Sequence, residues 1–240
     1  MNDRLALQNA SSRDKRKAKT RLALVSAAAQ RIEVKPFETI SVKELCSAVN
    51  VSETTFFNYF TRKSDLMAYC VQIWNLEIIA RATQAARGRR GLAMIGELFE
   101  QVGLHVQGRP GLTGEIMAYL AKRREDTRIP MLTLLEKQIA LPEFPDIGDI
   151  ELQPIDEVFK EQVRWAIENG ELPEKTNLEA VATSLTSLFF GVPVALHTER
   201  MSVIQQYRRQ LNLVWLGVRN AGQTRARPAL NGPTLHHRDA

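Results

Sequence analysis

Between Ser52 and Tyr59 the chain sets hydroxyls, a carboxylate, an amide and a phenol along one short stretch, SETTFFNY. Thr54 and Thr55 can donate to a phosphate oxygen or touch a thymine methyl, and Asn58 can bond a phosphate or a base edge. Tyr59 can donate to a phosphate, and Glu53 can accept from a cytosine amine. Ser52 suits the cap of a short helix, whose free N–H groups favour an anion. Phe56 and Phe60, four residues apart, give that helix a buried side, and Phe57 falls near the edge of its polar side. This is chemistry for holding a double helix, and nothing beside it suggests bond breaking. The histidines (His105, His197, His236, His237) have no metal-ligand spacing, and Cys46 and Cys70 form no C-x-x-C pair. No G-x-S-x-G and no Gly-rich phosphate loop occurs, so no enzyme, metal site or cofactor is expected.

The neighbouring segments must position that stretch. Ser41 and Glu44 make an S-x-x-E capping box for a helix over 41–48, which buries Val42, Leu45, Cys46 and Val49. Asn50 takes the tight turn, where a left-handed backbone is expected, and Val51 points inward. Upstream, the spacing of Leu22, Val25, Ala28, Ala29 and Ile32 predicts a helix from about Lys15 to Val34. A basic run precedes and enters it: residues 1–21 carry seven Lys/Arg against two Asp. Arg13, Lys15, Arg16, Lys17, Lys19 and Arg21 are therefore candidate phosphate or minor-groove contacts, with Ser41 and Lys63 beside the backbone. The alternative is a basic end that only keeps the chain soluble.

Taken together, 18–66 resembles the N-terminal domain of TetR-family transcriptional regulators. The resemblance rests on LALVSAAAQRI, on TISVKELCSAVNVS and on TTFFNYFTRKSDL, in which Thr55, Phe56, Phe57, Asn58, Tyr59, Phe60, Lys63 and Leu66 follow the family pattern. It implies that Thr55, Phe57, Tyr59 and Lys63 contact DNA. It also implies a homodimer on a near-palindromic operator, usually repressing, and released by a small molecule held in the C-terminal domain. Three positions depart from the pattern: Lys35-Pro36 replaces a glycine after the first helix, Asn50 replaces the turn glycine, and Phe57 stands where tyrosine is common.

The remaining sequence is helical in pattern, so an all-α fold of nine or ten helices is expected. The expected divisions are a disordered basic arm at 1–14, a helix-turn-helix domain at 15–62, a helical regulatory and dimerisation domain at 63–220, and a disordered tail at 221–240. Ser64 is placed to cap a helix reaching about Ala86. GVP at 191–193 is read as a break between helices at about 177–190 and 200–219, and Thr176 with Glu179 as a second capping box. Leu178, Val181, Ala182, Leu185 and Phe189, with Ile204, Tyr207, Leu211 and Trp215, form stripes suited to a dimer interface or to the protomer core. Trp74, Ile78, Met94, Phe99, His105, Met117, Tyr119, Phe159, Trp165 and Phe190 could line an apolar effector pocket or fill the core. The fourth helix, running from the reading head to this pocket, is the expected lever. Residues 131–180 carry twelve Asp/Glu against four Lys/Arg, a region that a polyanion would avoid. There is neither a secretory signal nor a run of 18 apolar residues, so a cytoplasmic chain with no membrane partner is expected. Its partners would be double-stranded DNA, a second copy and a small, mostly apolar effector. The other readings are a ligand-independent architectural DNA-binding protein and a helical protein-interaction adaptor.

Overall fold

Side-chain caps start the first three helices where the sequence offers them. Ser11 Oγ accepts from Asp14 N at 3.1 Å, Ser41 Oγ from Glu44 N at 3.1 Å and Ser52 Oγ from Thr55 N at 3.1 Å. The computed structural model describes residues 10–122, 131–195 and 202–223; among them it has ten α-helices, two 3-10 turns (Phe37–Thr39 and Ile147–Asp149) and no strand. The helices are α1 (Ser12–Ile32), α2 (Val42–Val49), α3 (Glu53–Tyr59), α4 (Lys63–Ala86), α5 (Leu92–Gly108), α6 (Pro110–Lys122), α7 (Leu134–Ala140), α8 (Ile155–Glu168), α9 (Leu178–Ala195) and α10 (Val203–Gln223). Helices α1–α3 form a head, and α4 leaves it to enter a body made by the rest. At about 1.5 Å per residue, α4 spans roughly 36 Å, and it packs on α1, α5, α6 and α7.

The head closes around Phe56 and Phe60, both buried, with ring centroids 5.5 Å apart, and Phe60 meets Tyr69 of α4 at 5.7 Å. Asn50 turns the chain between α2 and α3 with φ 56° and ψ 51°, the left-handed backbone expected of it. Glu44 differs from expectation. Ser41 caps α2, but the Glu44 carboxylate turns to Lys35 Nζ (2.8 Å) and Arg31 Nε (3.0 Å), tying α2 to the end of α1. The Lys35 hydrogen bond, with Arg31, holds that carboxyl below its usual range.

Two junctions fasten head to body, and they differ in strength. In the middle of α1, Arg21 donates to Glu136 of α7 at 2.6 Å, with side chains only 8% and 2% exposed. The guanidinium also lies over Tyr69, 4.2 Å from its centroid. The other Glu136 oxygen accepts from Thr133 N and Thr133 Oγ1, capping α7. Removing one partner of such a buried pair costs about 3–5 kcal/mol, because the other charge is stranded. At the end of α1, the Glu33 carboxylate accepts from the first free N–H groups of α6, Gly111 (2.9 Å) and Leu112 (3.2 Å), and lies 3.6 Å from Arg109. Gly111 is required there, since a Cβ would sit 2.7 Å from Ile32 O. This second junction is 27–40% exposed in its ion pair, and such pairs contribute about 0–1 kcal/mol.

The body has an aromatic centre. Phe99 stacks on Phe159 (5.5 Å, 17°) and meets Phe189 and Tyr207 edge-on at 5.6 and 4.9 Å. Trp74 packs on Phe189 and His105. Thr113 Oγ1 lies 3.0 Å from Arg109 O and 3.2 Å from His105 Nδ1, hydrogen-bonding both. Burial holds this imidazole below its usual pKa. Helix α5 begins at Gly91 with no cap of its own; Gln162 Oε1 accepts from Gly91 N and Glu171 Oε2 from Leu92 N. Trp165 lies so close that a Cβ on Gly91 would come within 2.7 Å of its ring.

Several expected boundaries move. Helix α1 starts at Ser12, so the end of the expected arm is helical; residues 1–9 and 224–240 lie outside the described residues. Ala221–Gln223, expected in the tail, continue α10. Helix α4 starts at Lys63, with Asp65 Oδ2 accepting from Arg62 N, so Ser64 lies within the first turn rather than capping it. Asn177, not Thr176, caps α9, through Ala180 N at 3.0 Å. Helix α9 also runs through Gly191 and Pro193. Pro193 has no N–H for Phe189 O, the carbonyl four residues back, and the Tyr207 hydroxyl of α10 supplies the missing donor at 2.7 Å. Helix α9 has a mean hydropathy of 1.5 over 18 residues, enough by length and composition to cross a membrane; here it packs between α8 and α10. Both cysteines are buried and free, and burial pushes the Cys70 thiol up to about 12.

Tyr207→Phe should strand the Phe189 carbonyl and lower unfolding free energy by about 1–3 kcal/mol, read from urea denaturation. A neutral-form His105 makes the unfolded chain bind protons first as pH falls below 6.5. Stability should therefore drop with acidification from that pH down to the lowered folded value, and the drop should be smaller in His105→Gln, followed by melting temperature against pH.

Candidate nucleic-acid interface and effector groove

The short helix α3 presents its polar side outward. Ser52, Glu53, Thr54 and Asn58 are exposed, Thr55 and Tyr59 are half-buried, and Phe57 is 49% exposed with its edge on Phe56 at 5.3 Å. Thr55 Oγ1 lies 2.9 Å from Ser52 Oγ, which fixes both hydroxyls at the start of the helix. The tight turn is secured from behind: Val51 N bonds Cys46 O, and Cys46 Sγ lies 3.7 Å from Ser52 O. These contacts bring the expected α3 residues onto one exposed strip with Ser41 also at the surface.

The basic residues divide. Arg13, Arg16, Lys17 and Lys19 are exposed along the first turns of α1, and Lys15 is half-buried. They stand on a helix rather than on an unstructured arm. Arg21 is excluded from the interface, because it is 7% exposed and committed to Glu136. Lys63 donates to Glu38 O at 3.0 Å and lies over the Phe37 ring at 4.6 Å, which orients its ammonium and leaves two of its three donors for other acceptors.

The expected effector residues also divide. Trp74, Ile78 and Phe159 are buried in the core, with His105 at its edge, and Phe99, buried on the Phe159 ring, also borders a cleft of about 410 Å³ between α5 and α10. Tyr119 packs half-buried against that core, and Trp165 covers Gly91. Met94 borders a separate cleft of about 700 Å³ beneath the 144–153 loop, rimmed by Asp146, Asp149, Glu151 and Glu161. Met117 and Phe190 do meet, in an open groove of about 890 Å³ between the C-terminal halves of α6 and α9. Leu120, Ala121, Ser187, Gly191, Val194 and Ala195 complete its wall. In the sequence Leu120 closes a short helix expected over Leu112–Leu120, Ser187 falls in the helix expected at 177–190, and Gly191, Val194 and Ala195 fall at or just past the expected break.

The expected dimer stripes are corrected in the same way. Val181, Ala182, Leu185, Phe189, Tyr207 and Leu211 are already buried within one chain, Leu178 and Trp215 pack half-buried against the same core, and Ile204 lies half-buried beside Gly103. Another face of the two helices is left open. Leu213 and Leu216 of α10 are 62% and 56% exposed, and Leu213 and Gly217 share a shallow cleft with Ala180 and Ser184 of α9. A second apolar stripe at 213 and 216 was the signal in the sequence.

No curated protein matches the chain. Among solved structures, FadR from Bacillus subtilis, crystallised with stearoyl-CoA, is similar at TM-score 0.62 and 12% identity over 82% of this chain and 98% of that one. Thermus thermophilus FadR, a TetR-family repressor crystallised with lauroyl-CoA, gives 0.57 and 17% over 89% and 100%. SmeT, the repressor of the Stenotrophomonas maltophilia multidrug efflux pump SmeDEF, gives 0.57 and 13% over 82% and 89%. The family model for bacterial regulatory proteins of the tetR family matches residues 24–70, from the middle of α1 into α4 and across the whole of α2 and α3. Over that unit the chain matches the tetR family of bacterial regulatory proteins, and its all-α fold is similar to those of the solved regulators.

Proposed function

We propose that the protein is a sequence-specific transcriptional regulator that binds a near-palindromic operator as a homodimer and represses until a small, mostly apolar molecule releases it. The observation that carries this is the polar strip on α3, exposed and pre-ordered at the tip of a helix-turn-helix. Its first turns would read base edges in the major groove, with Thr55, Phe57, Asn58 and Tyr59 closest. Arg13, Arg16, Lys17 and Lys19 would add phosphate contacts, each steepening the salt dependence by about one unit. The head is taken to span 15–62 and the regulatory body 63–220.

Two-fold operators require a self-complementary protein face, and the open face of α9 and α10 suits one. On α9 the hydroxyl of Ser184 already donates to its own helix, to Ala180 O. A second copy could therefore cover this face without stranding a donor. Leu213 and Leu216 would supply its apolar contact. The groove of Met117, Leu120, Phe190 and Val194 suits an extended apolar chain, with Ser187 as its polar wall. The acyl chains of stearoyl-CoA and lauroyl-CoA, bound by the two FadR proteins, are the first effectors to try.

Selection of bound duplexes from a random pool at physiological salt should recover one near-palindrome for the wild type, bound about tenfold more weakly by Thr55→Ala. Salt-sensitive binding without a consensus would instead favour the architectural reading, and absence of binding a protein adaptor. In sedimentation equilibrium, Leu213→Glu with Leu216→Glu should convert the dimer to folded monomer, and an unchanged dimer would place the interface elsewhere.

A further inference from the structure

We infer that the head pivots on the body about the Arg21–Glu136 pair and that Glu33 is the contact that lets go, which makes Glu33 a positioning residue for the DNA-reading helix. The inference rests on the regulatory reading above and adds to it the route of the signal. Apart from the start of α4, where Phe60 packs on Tyr69, head and body meet through α1 and the turn that follows it. At Arg21 the contact is buried, charge-paired and braced by Tyr69. Separating these two charges would strand both in a dry interior, so this point stays closed through any motion a ligand can drive. At Glu33 the same helix is held nearer the surface, by an exposed bond to Gly111, a part-buried bond to Leu112 and a partly exposed ion pair with Arg109, which water replaces more readily than the buried pair. Phe37 N, in the turn after α1, donates to Glu115 Oε1 of α6 at 3.2 Å, so two head contacts converge on one helix.

That helix also forms a wall of the groove. Glu33 and Phe37 hold the first half of α6, while Met117, Leu120 and Ala121 of its second half face the groove. A rigid helix moved at one end moves at the other. An occupant that displaces the groove wall therefore pulls α6 away from Glu33, and the head turns about Arg21. The route runs through α6, and α4 follows at its head-proximal end instead of acting as the lever. Both carboxylate bonds go to adjacent N–H groups at one point of close approach, so they part together.

The test needs neither DNA nor effector, so it stands or falls separately from the proposed function. Spin labels at Ser47→Cys on α2 and Arg164→Cys on α8 report the head-to-body distance by double electron–electron resonance. Both sites are exposed and the native cysteines are buried. Unlabelled chain is mixed in to remove distances between copies. Wild type should give one narrow distribution. Glu33→Ala should add a second population with the melting temperature almost unchanged, and Glu33→Gln, which keeps an acceptor for the α6 N–H groups, should restore most of the narrow one. Arg21→Met should lower the melting temperature and add no second folded population. A single narrow distribution in Glu33→Ala, or its global unfolding by circular dichroism, would overturn the inference.

Discussion

A positive charge lies buried in the middle of the first helix, and it constrains how that helix can pack. Arg21 sits where α1 crosses α7, beneath Tyr69 and Phe60, and Glu136 is the only counter-charge within its salt-bridge reach among the described residues. Burying such a pair is no gain in itself, since packed hydrophobes of equal volume would hold as well or better. What the pair supplies is register. Only one rotation of α1 puts the guanidinium on the carboxylate, and that rotation also sends Leu24, Ala28 and Ile32 into the core and leaves Arg16, Lys17 and Lys19 in water. That ion pair fixes the rotation of α1 about its own axis.

Side chains from distant parts of the sequence recur as helix caps. Helices α5 and α6 both start at or near glycine or proline, residues with no side chain to bond their own free N–H groups. Gln162 and Glu171 serve α5, and Glu33 serves α6. A carboxylate at a helix start is favoured by the backbone dipoles as well as by hydrogen bonding. These caps therefore act as tertiary fasteners, joining helix starts to side chains far away in the sequence. The reading helix is capped from within by Ser52, so its presentation needs no such fastener.

The local features were the legible ones. Ser41, Ser52, Asn50 and the Phe56/Phe60 pair act within a few residues, and the structure has the helices, the left-handed turn and the buried side that those residues imply. Arg21 was misread because a basic run looks the same whether its last member faces water or a carboxylate 115 residues away. The Glu44 carboxylate was assigned to its own helix start and went to Lys35 and Arg31, partners that propensity cannot rank. On α9 and α10 the apolar positions outnumber what one face can hold, so a stripe that fills the protomer core and a stripe left open are equally visible in sequence. Likewise, aromatic and methionine residues mark a core or a pocket alike, and only packing separated Phe99 from Met117.

Pro193 links two helices in a way that bears on how the chain acquires its structure. Alone, α9 would carry an unanswered carbonyl at Phe189 in the middle of an apolar helix, a defect that weakens it as an independent element. The answer lies on α10, in a phenol whose own burial disfavours the charged form and keeps the proton available for donation. The second half of α9 is therefore completed only as α10 docks, and the two helices gain their order cooperatively, as a hairpin rather than in sequence. The proline makes the last part of the chain a single folding unit.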